Sequence, residues 1–115
     1  VVEDSNVVRR RIREILEAAG HLVTEAVDGK DGLARARREA FDLVTIDIMM
    51  PRMDGYELTA RLRTLTEYRT TPTVMISSRA EEVDKKRGFE AGVDDYISKP
   101  FVQDRLTSCI GKFLR

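Results

Sequence analysis

Residues 44–55 read VTIDIMMPRMDG and carry the clearest structural signal in the sequence. They open with a β-branched, mostly apolar run, which is typical of a strand buried on both faces of a parallel sheet. A lone carboxylate, Asp47, follows where that strand is expected to end, and Pro51, Asp54 and Gly55 then predict a loop leading into a helix. Open α/β sheets bind their ligands at the carboxyl ends of their strands, so Asp47 is the leading candidate for a functional residue.

Short strand-like and helix-like segments alternate five times along the chain. Such alternation predicts a parallel sheet covered by helices on both faces. Right-handed crossovers leave few topologies, and we expect a flavodoxin-like (βα)5 fold with a five-stranded parallel sheet in the order 2-1-3-4-5. The predicted strands are the segment ending at Val1-Val2, His21–Val27, Phe41–Asp47, Thr73–Ser77 and Val93–Ser98.

The composition is that of one compact domain. A chain of 115 residues suits a single domain over residues 1–115, and we expect the amino-terminal part of its first strand to be missing from the sequence. Twenty acidic and twenty basic residues leave no net charge, which argues against nucleic acid as the main partner. No apolar run reaches the length of a membrane span and no signal peptide is visible, which favours the cytoplasm over a membrane location.

The arginine and cysteine residues allow two further structural predictions. The arginine-rich pieces at residues 9–11 and 34–38 alternate with acids and are interpreted as solvated helix faces. Cys109 is the only cysteine, so it has no disulfide partner in this chain, and we expect it to be a small buried hydrophobic residue.

Polar groups end four of the five predicted strands. They are Glu3 and Asp4, Asp47, Ser77 and Lys99. Because strands one and three are neighbours in the order 2-1-3-4-5, the three carboxylates are expected to lie together, where they repel one another and raise their own pKa values. A divalent cation and the Lys99 ammonium would balance this charge, and a ligand set made only of oxygen atoms suits Mg²⁺.

A phosphoryl group is the natural ligand for such a site. Asp47 can act as a carboxylate nucleophile and form an acyl phosphate. Mg²⁺ and Lys99 would neutralise charge on the transferring oxygens, and the hydroxyl of Ser77 would donate to one of them.

At these residues the chain resembles the receiver domain of bacterial two-component response regulators, which has the CheY-like fold. The matching pieces are VVEDS at 1–5, IDIMMP at 46–51 with MDG at 53–55, MISS at 75–78, AG at 91–92 and DYISKPF at 95–101. The resemblance implies that Asp47 is the phosphoacceptor. It also implies that Asp4 binds Mg²⁺ directly, Glu3 through water and Met49 through its backbone carbonyl. Glu3 stands where an aspartate is common in the family.

The same resemblance assigns the switch residues. Ser77 is implied to be the switch hydroxyl, Tyr96 the aromatic that changes rotamer, and Lys99 the cation that pairs with the phosphate. The Lys99–Pro100 bond is expected to be cis. Our hypothesis is that Ser77 moves to the phosphoryl group and Tyr96 turns inward.

The implied function is a phosphorylation-dependent switch that catalyses only its own phosphorylation and dephosphorylation. The phosphoryl group comes from a histidine kinase. We predict that phosphorylation repacks the face made by residues 81–91, residues 93–98 and the last helix, and so controls a downstream protein or an attached output domain. The domain is expected to be a monomer or a weak dimer. Residues 78–92 resemble receivers attached to chemotaxis-type hybrid histidine kinases.

Two implications concern single residues. His21 is predicted to be exposed and away from the acids, so the donor histidine belongs to another protein or domain. In this family the residues two past the phosphoacceptor and two past the switch hydroxyl tune the phosphate lifetime, and here these are Met49 and Arg79. Neither aids an attacking water, which predicts slow self-dephosphorylation.

Two other functions stay open at this point. One is a small Mg²⁺-dependent phosphatase or phosphotransferase that uses an aspartyl-phosphate, which usually needs a second acid two residues after the nucleophile, where Met49 stands. The other is a flavodoxin-like cofactor binder, which needs a phosphate-binding loop rich in Gly, Ser and Thr after the first strand. Residues 4–6, Asp-Ser-Asn, would instead put negative charge there.

Overall fold

The computed structural model describes residues 1–79 and 81–114. Its five α-helices surround three named strands, and a 3-10 turn, Thr66–Tyr68, precedes the second of these strands. Among the described helices, none has both the length and the apolar character needed to cross a membrane. The helices are α1 (Asn6–Ala18), α2 (Gly29–Arg38), α3 (Gly55–Arg63), α4 (Glu82–Ala91) and α5 (Gln103–Phe113), and the strands are β1 (Val44–Ile46), β2 (Thr73–Ser77) and β3 (Asp95–Ser98).

Parallel pairing extends beyond the three named strands. β2 lies between β1 and β3 and pairs with both in parallel. Val2 forms parallel bridges to Ala26 on one side and to Ile46 of β1 on the other. The pairing therefore runs from the 21–27 segment through residues 1–3 to β1, β2 and β3. The predicted flavodoxin-like fold is confirmed. The named strands β1, β2 and β3 are the third, fourth and fifth predicted strands, and the pairing is consistent with the predicted order 2-1-3-4-5.

Two strands are shorter than predicted. In the segment His21–Val27 only Ala26 pairs, and within Phe41–Asp47 the named strand is Val44–Ile46. Both segments flank residues 1–3, where Val2 makes the bridges to each of them, and Val44–Ile46 also pairs along its length with β2. A cavity of about 470 Å³ lies beside them, at the edge of the sheet opposite to Asp47, and Leu22 at this edge is fully exposed.

Helices cover both faces of the sheet, as predicted. On one face α1 and α5 pack against alternate residues of β2, and this cluster contains Ile12, Val74, Ile76 and Leu106. α2 and α3 pack on the other face, where the buried residues include Leu33, Ile46 and Leu58. The alternation in β2 follows from the two-residue period of a strand.

Local signals in the sequence explain where helices begin and end. Ser5, Asp28 and Asp54 each precede a helix and accept a hydrogen bond from a backbone N–H in its first turn. Gly92 follows α4 with φ of +116°, a left-handed conformation that suits glycine.

α4 is the helix with the least apolar burial. Gly88 is its only buried residue, whereas Val83 and Phe89 are 67% and 49% exposed. A Cβ at Gly88 would lie 3.2 Å from Met75 Sδ and 3.3 Å from Val93 Cγ2. The glycine that weakens the helix therefore allows α4 to approach the sheet closely.

Candidate functional site

The backbone around Asp47 is fixed from two directions. Its N–H donates to the carbonyl of Val2 at 3.0 Å, and the N–H of Gly55 donates to the carbonyl of Ile48 at 2.9 Å. Gly55 packs so closely that an added Cβ would lie 2.4 Å from the Asp47 carbonyl oxygen. Asp47 directly follows β1 and is 6% exposed, so its carboxylate has a defined place at the carboxyl edge of the sheet.

Three carboxylates converge at this edge. Glu3, Asp4 and Asp47 each offer an oxygen, and these oxygens lie within 4.8 Å of one another. Glu3 and Asp47 are buried and Asp4 is exposed, so one side of the cluster faces solvent. A compact set of carboxylate oxygens with an open side has the donor chemistry that Mg²⁺ prefers.

Lys99 places its ammonium between the two buried acids. Its Nζ lies 2.5 Å from Glu3 Oε1 and 3.5 Å from Asp47 Oδ2. The second carboxylate oxygen of Glu3 accepts a hydrogen bond from the N–H of Ser5 at 3.0 Å. Burial raises the pKa of Glu3 above its usual value, and the charge of Asp47 adds to this, while the bonds from Lys99 and Ser5 act in the opposite direction. The peptide bond between Lys99 and Pro100 is cis, as expected.

Ser77 and Tyr96 form a second group next to the acids. Ser77 ends β2, is completely buried and accepts a hydrogen bond through Oγ from the N–H of Arg79 at 3.2 Å. The hydroxyl of Tyr96 donates to the carbonyl of Arg79. Burial raises the pKa of Tyr96, as do nearby Tyr56 and Asp84. One residue of the loop after β2 therefore links the two predicted switch residues.

The position of Tyr96 bears on the predicted movement. The side chain is already inside, with 5% of the residue exposed, in a buried cluster with Ile48 and Met75. The structure describes this inward position, and the predicted change of rotamer stays a prediction. The last predicted site residue, Met49, lies in the loop after β1 and is 56% exposed.

Arg9 has a contact that its charge pattern did not indicate. The alternation of basic and acidic residues predicts a solvated face here, but Arg9 Nη1 donates to the Glu3 carbonyl at 2.7 Å and the side chain pairs with Glu25 at 3.4 Å. The available signal was its place one turn after Ser5, which returns the side chain to the start of the helix. His21 is partly buried at the opposite edge of the sheet, rather than exposed. Cys109 is buried as predicted.

The fold and the acidic edge of the sheet together define an α/β module whose carboxylate site suits a divalent cation and an anionic ligand. A family model described as the response regulator receiver domain matches residues 1–111, and the chain belongs to this family. The transcriptional regulatory protein ResD of Bacillus subtilis is 40% identical over 101 residues, which are 88% of this chain and 41% of ResD. The chain thus spans about two fifths of the length of that relative.

Solved structures agree with the family. The chemotaxis protein CheY4 of Vibrio cholerae is 31% identical with a TM-score of 0.94, over 98% of this chain and 94% of the other. The receiver domain of sensor histidine kinase PA1611 from Pseudomonas aeruginosa is 29% identical with a TM-score of 0.90, over 97% and 92% of the two chains. The latter structure has a magnesium ion coordinated in its active site cleft. The chain is therefore a CheY-like receiver domain, a phosphoacceptor signalling domain of two-component systems.

Proposed function

We propose that Asp47 is the phosphoacceptor of this receiver and that it takes its phosphoryl group from a histidine kinase in a reaction that requires Mg²⁺. The observation that carries the proposal is the convergence of three carboxylates and one ammonium on the carboxyl end of β1. In the transfer, an oxygen of Asp47 forms a bond to phosphorus while the bond from phosphorus to the donor imidazole nitrogen breaks. The donor ring leaves and takes up a proton. His21 lies at the other edge of the sheet, which supports a donor outside these residues.

Charge explains why the site needs a cation besides Lys99. Three ionised carboxylates and one ammonium leave two negative charges, which oppose the approach of an anionic phosphoryl group. Glu3, Asp4 and Asp47, with the backbone carbonyl of Met49, would hold Mg²⁺, which neutralises charge on the transferring oxygens. The magnesium ion in the related PA1611 receiver supports this assignment. Lys99 then orients the phosphoryl group and stabilises its charge.

The phosphoryl group acts on the rest of the domain through Ser77 and Tyr96. Ser77 moves to the new oxygens and gives up its bond with Arg79, to which Tyr96 is also bonded. The surface that changes consists of α4, β3 and α5. It is suited to a partner because α4 is held by little apolar burial, and because Val83, Phe89 and Val102 are exposed.

The biological setting follows from family membership. A receiver implies a histidine kinase as donor and an output, either a separate protein or an attached domain. We place the module, residues 1–115, in the cytoplasm as a monomer or weak dimer, and as a switch rather than an enzyme with a foreign substrate. An attachment to a chemotaxis-type hybrid kinase rests on residues 78–92, of which Ala80 lies outside the described residues.

Incubation with acetyl phosphate and Mg²⁺, followed by intact mass measurement, tests the proposal. We expect one phosphate on the wild type and none on Asp47→Asn. The matched control is Asp42→Asn, which changes an exposed aspartate near the other end of β1 and should be phosphorylated like the wild type. The adduct should not form when a chelator removes Mg²⁺. An adduct on Asp47→Asn would refute the assignment. Sustained turnover of acetyl phosphate without a stable adduct would favour the phosphatase or phosphotransferase instead.

A further inference from the structure

Tyr56 contacts parts of the molecule that the proposed switch uses, although the proposed function gives it no role. It is the second residue of α3 and follows Gly55, which packs against the carbonyl of Asp47. Tyr56 is 5% exposed and lies in the same buried cluster as Ile48 and Tyr96. One side of this residue is therefore fixed relative to the phosphoacceptor.

The hydroxyl and the ring of Tyr56 contact α4. Its hydroxyl donates to the carbonyl of Asp84, in the first turn of that helix, at 3.2 Å. The guanidinium of Arg87, about one turn further on, lies 4.4 Å from the centre of the ring. Burial raises the pKa of Tyr56, and the charge of Asp84 adds to this, so the hydroxyl keeps its proton and remains a donor. A single side chain thus makes a hydrogen bond to residue 84 of α4 and a cation–π contact with residue 87 of the same helix.

These polar contacts matter because α4 has little else to hold it. Gly88 is its only buried residue, and the helix carries its largest apolar side chains on the outside. An element with few buried apolar contacts moves at low free-energy cost, so each remaining contact has a large influence on its position.

We propose that Tyr56 is a positioning residue that couples the Asp47 site to α4, because its hydroxyl stabilises the arrangement of α4 in which Tyr96 is buried. The inference rests on the proposed function, in which a phosphoryl group on Asp47 favours the inward position of Tyr96. Coupling between two sites is reciprocal. A residue that stabilises this arrangement of α4 therefore also raises the affinity of the Asp47 site for a phosphoryl analogue.

The substitution Tyr56→Phe isolates the hydroxyl, since it keeps the buried ring. The net contribution of one hydrogen bond corresponds to about a fivefold change in an equilibrium constant. Binding of beryllofluoride in the presence of Mg²⁺ is measured from the shifts of amide NMR signals. We expect its affinity for Tyr56→Phe to be roughly two- to fivefold lower than for the wild type. In the metal-free protein, amide hydrogen exchange in the first turn of α4 should accelerate by a similar factor.

Tyr68→Phe is the matched control. Tyr68 is 2% exposed and its hydroxyl also donates to a backbone carbonyl, that of Glu39, but it packs with the α2 and α3 core and not with α4. Tyr68→Phe should lower the free energy of unfolding in urea while leaving beryllofluoride affinity and exchange in α4 unchanged.

The outcomes separate the two proposals. If beryllofluoride does not bind the wild type at Asp47, the proposed function fails. If it binds the wild type and Tyr56→Phe equally, with unchanged exchange in α4, the proposed function stands and the role of Tyr56 is refuted. Equal weakening in both phenylalanine variants would mean a general loss of stability and would also refute that role. Weakening and faster exchange in Tyr56→Phe alone support it.

Discussion

Adding one methyl group at Gly55 tests how the main chain holds Asp47. An ideal Cβ there lies 2.4 Å from the carbonyl oxygen of Asp47 and 2.9 Å from Ile48 Cα. Both neighbours are backbone atoms, so no side chain can rotate away and the loop after β1 has to move. Overpacking costs about 1–3 kcal/mol, and contacts this short belong at the upper end. Alanine gains at most about 1 kcal/mol over glycine in a helix. We therefore expect Gly55→Ala to lower the free energy of unfolding by about 2 kcal/mol.

Gly111 provides the control for this substitution. It lies in α5, is exposed, and a Cβ there would have no heavy atom within 4 Å. Gly111→Ala should raise the free energy of unfolding by about 0.5–1 kcal/mol. Urea unfolding followed by circular dichroism measures both effects, provided that the slope with denaturant stays constant.

The same pair of variants tests the link to function. In the proposed reaction, moving Asp47 displaces the attacking oxygen, and misplacement by about 1 Å costs on the order of 100-fold in rate. The folded Gly55→Ala protein should accept phosphate from acetyl phosphate at least about tenfold more slowly than the wild type, whereas Gly111→Ala should react normally. If Gly55→Ala matched the wild type in both stability and rate, the close packing of Gly55 on Asp47 would not be what fixes the carboxylate.

Three other predictions concern separate parts of the domain. Burial raises the pKa of Asp95, but hydrogen bonds from the Tyr96 N–H and from the Lys112 and Cys109 side chains together outweigh it, so this pKa lies below its ordinary value. The stability that Asp95 contributes is therefore present above the ordinary aspartate pKa of 3.8 and is lost as the pH falls through the lower pKa of the folded protein. The difference in unfolding free energy between the wild type and Asp95→Asn should therefore become smaller in acid. Arg63 donates to three backbone carbonyls and to Asp94, so Arg63→Met should lower the free energy of unfolding in urea by about 3 kcal/mol. Arg61 makes an exposed ion pair, and the control Arg61→Met should change this free energy by less than about 0.5 kcal/mol. The acyl phosphate should be lost slowly in Mg²⁺, and a lifetime of seconds in a phosphate-release assay would contradict this.

The order of the elements was predictable because local and global signals agree. The strand Thr73–Ser77 is buried at every position, and every residue before Ser77 is apolar or β-branched, so the strand is recognisable in the sequence. Residues that cap helices, such as Ser5 and Asp54, mark helix starts through their own chemistry. The extent of pairing in His21–Val27 was not predictable, because it depends on how much of the neighbouring segment lies beside it. That is a property of the assembled sheet.

The convergence of the site followed from a simple rule, since carboxyl ends of parallel strands meet at one edge. This rule was enough to expect Asp47, Glu3 and Lys99 together. The rule did not predict that Arg9 would donate a hydrogen bond to the backbone carbonyl of Glu3, or that Tyr56 would donate one to the carbonyl of Asp84. Every residue carries such a carbonyl, so sequence patterns do not indicate which one a side chain will reach.

The ion pair between Lys99 and Glu3 joins residues that are 96 positions apart. During synthesis on the ribosome, Glu3 and Asp47 emerge early but remain without their ammonium until β3 and the residues after it have left the exit tunnel. The proposed phosphotransfer therefore becomes possible only after the last part of the domain has been synthesised. Under the proposed function, truncated chains that end before Lys99 would keep the nucleophile Asp47 but lack the cation, so they would not accept a phosphoryl group from a histidine kinase.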